Sequence, residues 1–293
     1  MDSTLLTLVG INILMAWSFY VIYMSGQVSL GNAGFMAIGA YASSVATVKF
    51  QVPFFGGLLV AIIVGAAFGW LVGLPALRIR GVYLGMATIG FASLVQSFFN
   101  NFEYTGTQVG FRGMMGTTEP ILYGIIAVLL VCLVRLQRSR LGKALHAVRE
   151  NETVASTLGL DVVYLKLLAF IIGASIASLA GALYAHFIFF ISPEQFTFWQ
   201  SAWPAFYVVI GGANTVVGPL LGAVVVTLLP EYFRALKEWR LLVFASVVMV
   251  LIAVRPDGLW SRAVERSVAR LWSRTIGKRV NRSLRVEARH TSA

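Results

Sequence analysis

The imidazoles and the thiol of this sequence do not form a reaction centre. His146, His186 and His290 lie far apart, and Cys132 sits alone in an apolar run; no H-E-x-x-H or paired-cysteine spacing joins them to a metal. Neither G-x-x-x-x-G-K-[ST] nor G-x-G occurs, so there is no P-loop and no dinucleotide fingerprint. Every acidic residue falls in a loop, at a terminus or at the edge of an apolar run, whereas a proton- or ion-coupled carrier normally keeps a charge deep in one. These absences argue against an enzyme and against a bound cofactor. What remains is recognition chemistry, and it gathers in the polar stretch 138–166, RSRLGKALHAVRENETVASTLGLDVVYLK. Asn151 can cap a short helix there, with Glu150 and Glu152 at its start and Lys143 and Arg149 as basic flanks. Val154, Ala155 and Leu158 are expected on one face, and Gly159 stands where a helix commonly ends in a left-handed residue. A short amphipathic helix outside the membrane reads as a docking element that receives force from another protein.

The elements that position this stretch are membrane spans. Hydrophobic residues make up 58% of the chain, charged residues 12%, and the mean hydropathy is +0.80. The expected fold is an all-α polytopic integral membrane protein with about 8–9 transmembrane helices, some of them broken or re-entrant. Candidate spans are 5–24, 28–48, 54–77, 82–100, 120–136, 165–191, 202–212, 216–230 and 240–254. The first is long enough to remain as a membrane helix. The net charge of +11 is segregated into a few loops and the tail, which argues against nucleic acid as a partner. With nine crossings, eight basic residues between Arg78 and Lys166 fall on one side together with the basic tail, against five on the other. The basic side is then cytoplasmic, the N-terminus outside and the C-terminus inside.

Several spans carry further signals. Trp17, Tyr20 and Tyr23 read as interface anchors. The second segment mixes Gly26, Gly31, Gly34 and Gly39 with Ser25, Ser29 and Asn32. It is either a tightly packed helix or a broken element lining a translocation path, with Asn32 and Gly34 as path candidates. Ala61, Gly65, Gly69 and Gly73 form a small-residue groove on the third span. Ser93, Gln96 and Asn100 share a face of the fourth, serving helix contacts or the path. The stretch 101–119 reads as a flexible external loop. In the sixth span the rows Ala174–Ser178–Ala182 and Ala177–Gly181–Ala185 predict close packing, and His186 reads as a hydrogen-bonded interface residue. Phe187, Phe189, Phe190, Phe196, Phe198 and Trp199 read as an aromatic belt. Residues 202–230 form a broken pair or a tight hairpin around Gly211–Thr215. The domain division is a transmembrane part, 1–258, and a basic amphipathic tail, 259–293, suited to anionic lipid.

Together SLGNAGFMAIGAYAS, LPALRIRGVYLGMATIGF, LGKALHAVRENETVASTLGLDVVYLKLLAFIIGASIASLAGALYA, SPEQFTF and VVIGGANTVVGPLLGA resemble the membrane permease of branched-chain amino acid ABC importers, the LivM-type subunit. ENETVASTLGLD is the most specific part. Asn32 departs from the glutamine common in the family, and Ala213–Asn214–Thr215 from a simpler glycine–serine turn. The resemblance implies a bacterial inner-membrane importer with a second, LivH-like permease, two cytoplasmic ATP-binding subunits and a periplasmic substrate-binding protein. Residues 150–160 would be the coupling helix seated on an ATPase, ATP being bound by those partners rather than by this chain. Urea, amide or aromatic-acid import on the same fold is the main alternative, and a self-contained secondary transporter is another.

Overall fold

The computed structural model describes residues 3–79, 81–232, 245–246, 249 and 258–260. The expected span 240–254 falls almost wholly outside the described residues, and so does the basic tail beyond Trp260. The helices are α1 (Ser3–Tyr23), α2 (Asn32–Val48), α3 (Phe54–Ala76), α4 (Val82–Asn101), α5 (Glu119–Arg138), α6 (Arg140–Glu150), α7 (Glu152–Thr157), α8 (Val162–Ile188), α9 (Phe198–Gly211) and α10 (Val217–Tyr232). Two short strands, β1 (Phe111–Arg112) and β2 (Phe190–Ile191), pair antiparallel with Phe111 opposite Ile191. Among the described residues α1, α3, α4, α5 and α8 are long and apolar enough to cross a membrane, and α10 is apolar but shorter. Twenty helical residues rise about 30 Å, the thickness of the hydrocarbon layer. The chain is an all-α polytopic membrane protein.

α8 is the axis of the fold, with α1, α2 and α3 packed on it. In lipid, helices gain nothing by leaving water, so their association depends on close van der Waals contact and interhelical hydrogen bonds. The small-residue rows supply that contact. Gly65 and Gly69 of α3 face Ser178 and Ala174 of α8, and a Cβ at Gly39 of α2 would overlap the Ser178 carbonyl. A Cβ at Gly181 would in turn overlap the Met36 carbonyl. Ser178 Oγ donates to Phe35 O at 2.9 Å, closing the junction of α2 and α8. α9 and α10 form a tight hairpin: a Cβ on Gly211 or Gly222 would run into the backbone of the opposite helix.

Three expectations are corrected. Trp17 and Tyr20 are not interface anchors; both are fully buried, and Trp17 Nε1 donates to Val216 O at 2.9 Å. α9 and α10 cover the face of α1 that a solitary span would show to the headgroups. Phe196 is likewise in the core rather than in an aromatic belt, against Tyr41 and Tyr184, while Phe189, Phe198 and Trp199 are exposed. The stretch 101–119 is folded. Phe111 and Met114 are buried, Thr117 Oγ1 donates to Leu183 O at 3.0 Å, and Lys49 Nζ donates to Tyr104 O at 2.6 Å. Its apolar side chains and the β1–β2 pairing tie it to the end of α8. There His186 is buried and hydrogen-bonded on both ring nitrogens, to Ala182 O at 2.8 Å and Thr47 Oγ1 at 3.2 Å.

α3 starts beside His186 and ends beside Leu167, so it runs antiparallel to α8. Arg78, Arg135, Arg138, Arg140, Lys143, Arg149 and Lys166 therefore gather at one end of the molecule, with α6 and α7. Lys49 and Arg112 stand at the other, beside Tyr104 and Phe190.

Candidate functional site

The basic end is built by three successive caps. Ser139 Oγ accepts from Gly142 N at 3.2 Å and starts α6, whose Gly142, Leu145 and Val148 turn inward and are buried. The sequence reading leaves this segment as polar chain. Its signal is Ser139 followed by apolar residues at helical spacing, diluted by the exposed Arg140 and Lys143 on the outer face. Asn151 ends α6 in extended backbone and begins α7, its Oδ1 accepting from Thr153 N at 3.0 Å and Val154 N at 3.1 Å. Gly159 closes α7 with φ +80°, and Asp161 caps α8 by accepting from Tyr164 N at 3.0 Å. Glu152, in the first turn of α7, is ion-paired with Lys166 of α8.

α7 presents an apolar edge to solvent. Val154 is 53% exposed and Leu158 73%, while Ala155 is 1% exposed. Ala155 thus leaves the expected shared face. Residues four apart stack on a helix, whereas the next residue turns by about 100°, and here that turn aims Ala155 into the core. Glu150 and Gly159 are exposed. Replacing Asn151 by Ala should cost about 1 kcal/mol of local helix stability. Hydrogen exchange at Thr153 and Val154 should then rise about fivefold, with α8 unchanged.

The path candidates separate into two groups. Residues 24–31 form a turn and an extended run, and α2 begins only at Asn32. This run and the first turn of α2 are held from two sides: Leu30 N donates to Thr88 Oγ1 of α4 at 2.9 Å, and Ala33 N donates to Ser201 Oγ of α9 at 3.1 Å. Gly34 lets α4 approach, a Cβ there standing 3.0 Å from Ala92 Cα. Asn32 is fully buried, and neither Nδ2 nor Oδ1 has a hydrogen-bond partner among the described residues. On α4, Ser93 is exposed, Gln96 is half-buried, and Asn100 Oδ1 is buried without a partner among the described residues. No hydrogen bond joins Asn32 to Asn100. A groove of about 1110 Å³ lies between α2, α3 and α4, and its lining on α4, mainly aromatic and aliphatic side chains with Ser97 and Asn101, includes none of Ser93, Gln96 and Asn100.

A side chain that the sequence reading passes over, Gln137, holds the turn between α9 and α10. Gln137 donates from Nε2 to Asn214 O at 3.0 Å and accepts at Oε1 from Val216 N at 3.3 Å. Trp17 holds the same Val216 from α1. The backbone of Leu259 and Trp260 also donates to Ile210 O and Gly211 O, each at 2.9 Å. Nothing in the order of the chain announces these pairings.

The chain matches the family described as branched-chain amino acid transport system / permease component over residues 2–254. It is 34% identical over 278 residues to the high-affinity branched-chain amino acid transport system permease protein LivM of Escherichia coli and to that of Salmonella typhimurium. Each alignment covers 82% of this chain and 65% of the relative, so the chain spans about two thirds of their length. It is also 24% identical over 281 residues to the permease protein LivH of Escherichia coli, covering 85% of this chain and 91% of that one. No solved structure matches. The chain belongs to the branched-chain amino acid transport permease family.

Proposed function

We propose that this chain is a LivM-type permease subunit of an ATP-driven importer, carrying branched-chain or related amino acids across a bacterial inner membrane. The observation that carries the reading is α7: a capped helix at the basic end whose Val154 and Leu158 stand in solvent. Two large apolar side chains on so short an element favour a partner that covers them. The partner is a cytoplasmic ATP-binding subunit, one of two in the assembly, and residues 150–160 dock on it, with Glu150, Glu152 and Gly159 beside the apolar edge. The other partners are a LivH-like permease, in keeping with the similarity to LivH proteins, and a periplasmic substrate-binding protein. Lysine and arginine at the α6–α7 end support a cytoplasmic placement of that end, with the N-terminus periplasmic. The division at 258 is kept in this reading, with the tail on anionic lipid. ATP is held by the partners, and this chain does no covalent chemistry.

Asn32 with Gly34 is the stronger path candidate. A buried amide with no protein partner is costly unless water or a passing solute satisfies it. Ser93, Gln96 and Asn100 supply a polar wall on α4, next to the second permease. Among the described residues no acidic side chain lies mid-span, which favours energy from another subunit over ion coupling. The test is to purify the complex from native membranes and assay its extracytoplasmic partner against leucine, isoleucine, valine, urea, short amides and aromatic acids. Two ATP-binding subunits should co-purify, and branched-chain amino acids should bind best. Uptake by the chain alone, driven by an ion gradient in vesicles, would sink the proposal.

A further inference from the structure

Arg149 ties the basic end together. It stands in the last turn of α6, two residues before the Asn151 cap of α7. Its guanidinium carbon lies 4.2 Å from the centroid of the Tyr23 ring, at the end of α1. Its Nη1 donates to Ala213 O, 3.1 Å away, in the α9–α10 turn. Its backbone lies against Gly26, where an added Cβ would stand 3.2 Å from Arg149 Cα. Gly26 has φ +81° and opens the non-helical run that leads to Asn32. One half-buried residue therefore touches both the 24–31 run and the 212–216 turn.

The connection to α7 is equally short. Asn151 N donates to Ala147 O at 3.1 Å while the Asn151 side chain caps α7, so α7 cannot shift without pulling the last turn of α6. On the far side, Gln137 and Trp17 brace the 212–216 turn and make it respond as one piece. A planar guanidinium can stack on a ring and donate in-plane at once, which an ammonium cannot.

We infer that Arg149 is a positioning residue that transmits displacement of α7 to the 212–216 turn and to the 24–31 segment. The inference rests on the docking of α7 proposed above. Its test uses the assembled transporter in proteoliposomes with three readouts: retained ATP-binding subunits, ATP hydrolysis and uptake. In R149M, which keeps an apolar stem over Tyr23 and loses the donor, subunits and hydrolysis should stay within about twofold of wild type. Uptake should fall at least about tenfold, the loss expected when a charged hydrogen bond of about 1.5 kcal/mol or more is removed. R149K should recover only part of it. Uptake within twofold of wild type in R149M overturns the inference, and so does loss of the ATP-binding subunits from a folded R149M chain. If R149M does not fold, Y23L decides: uptake per ATP should drop about threefold, and an unchanged ratio overturns the inference. Failure of the docking reading has a separate signature, a V154D/L158D chain that keeps both its ATP-binding subunits and its uptake.

Discussion

Replacing Val154 and Leu158 together by Asp should abolish uptake while leaving the protein folded and inserted. Both side chains are more than half exposed, so the isolated subunit loses no core contact. Surface changes of this kind usually move stability by no more than about 0.5 kcal/mol. An Asp at 154 also suits the first turn of α7, where the helix dipole favours negative charge. The cost falls on the interface. Burying a valine and a leucine is worth about 1.5–3 kcal/mol each, and a carboxylate trapped in a covered groove without a partner costs about 3–5 kcal/mol. A combined loss above about 4 kcal/mol weakens docking at least 1000-fold. The measurement is co-purification of the ATP-binding subunits together with uptake in vesicles. Uptake at wild-type level in this double variant would show that α7 receives no force. Ala155→Asp is the contrasting case. Ala155 is in the core, so the variant should lower the thermal midpoint of the chain itself, before any partner is added.

Gly181→Leu should prevent the helices from assembling. A Cβ at Gly181 already overlaps the Met36 carbonyl, and a backbone atom cannot rotate out of the way as a side chain can. α2 and α8 would have to separate, and the contact of Gly39 with Ser178 and the Ser178–Phe35 hydrogen bond would go with them. Overpacking alone costs about 1–3 kcal/mol where neighbours can yield; here the neighbour is backbone, and the cost should lie at or above the top of that range. Because helices in lipid have no hydrophobic drive to hold them together, the loss is not recovered elsewhere. Size-exclusion chromatography in detergent should show aggregated or absent protein. Gly124→Leu on α5 is the control: nothing lies within 4 Å of its Cβ position. It should behave as wild type, or slightly better through helix propensity. If Gly181→Leu gave monodisperse, transporting protein, the α2–α8 junction would not be the close contact described.

Much of this was legible in the order of residues because it depends on neighbours in sequence. Hydropathy sets the spans, since a bilayer demands about 20 apolar residues whatever they later pack against. Asn151 and Gly159 could be read as the ends of a short helix, because capping involves only the residues two or three positions away. The small-residue rows on α3 and α8 announced close packing, and the two rows do meet. The break in the second span was one of two readings left open, and the glycines and serines of 25–31 resolve into a clamped extended run.

The rest was decided between elements. Ala155 and Leu158 are both small or apolar and belong to one helix, yet one is buried and the other exposed, because α6 and α8 cover a single side of α7. Trp17 and Phe196 have the residue types of interface anchors and sit in the core, since α9, α10 and the Tyr41–Tyr184 cluster enclose them. Arg149 read as a basic flank; its role depends on Tyr23, Gly26 and Ala213, which are distant in sequence and meet only when α1 and the hairpin close on α6. The sequence by itself determined the class, five of the expected spans and the capped helix, because those obey local hydrogen bonding and the thickness of a membrane. Which faces are covered, and which side chain touches α1, the 24–31 run and the α9–α10 turn at once, was settled only by tertiary packing, because a contact between remote residues leaves no periodicity in the chain.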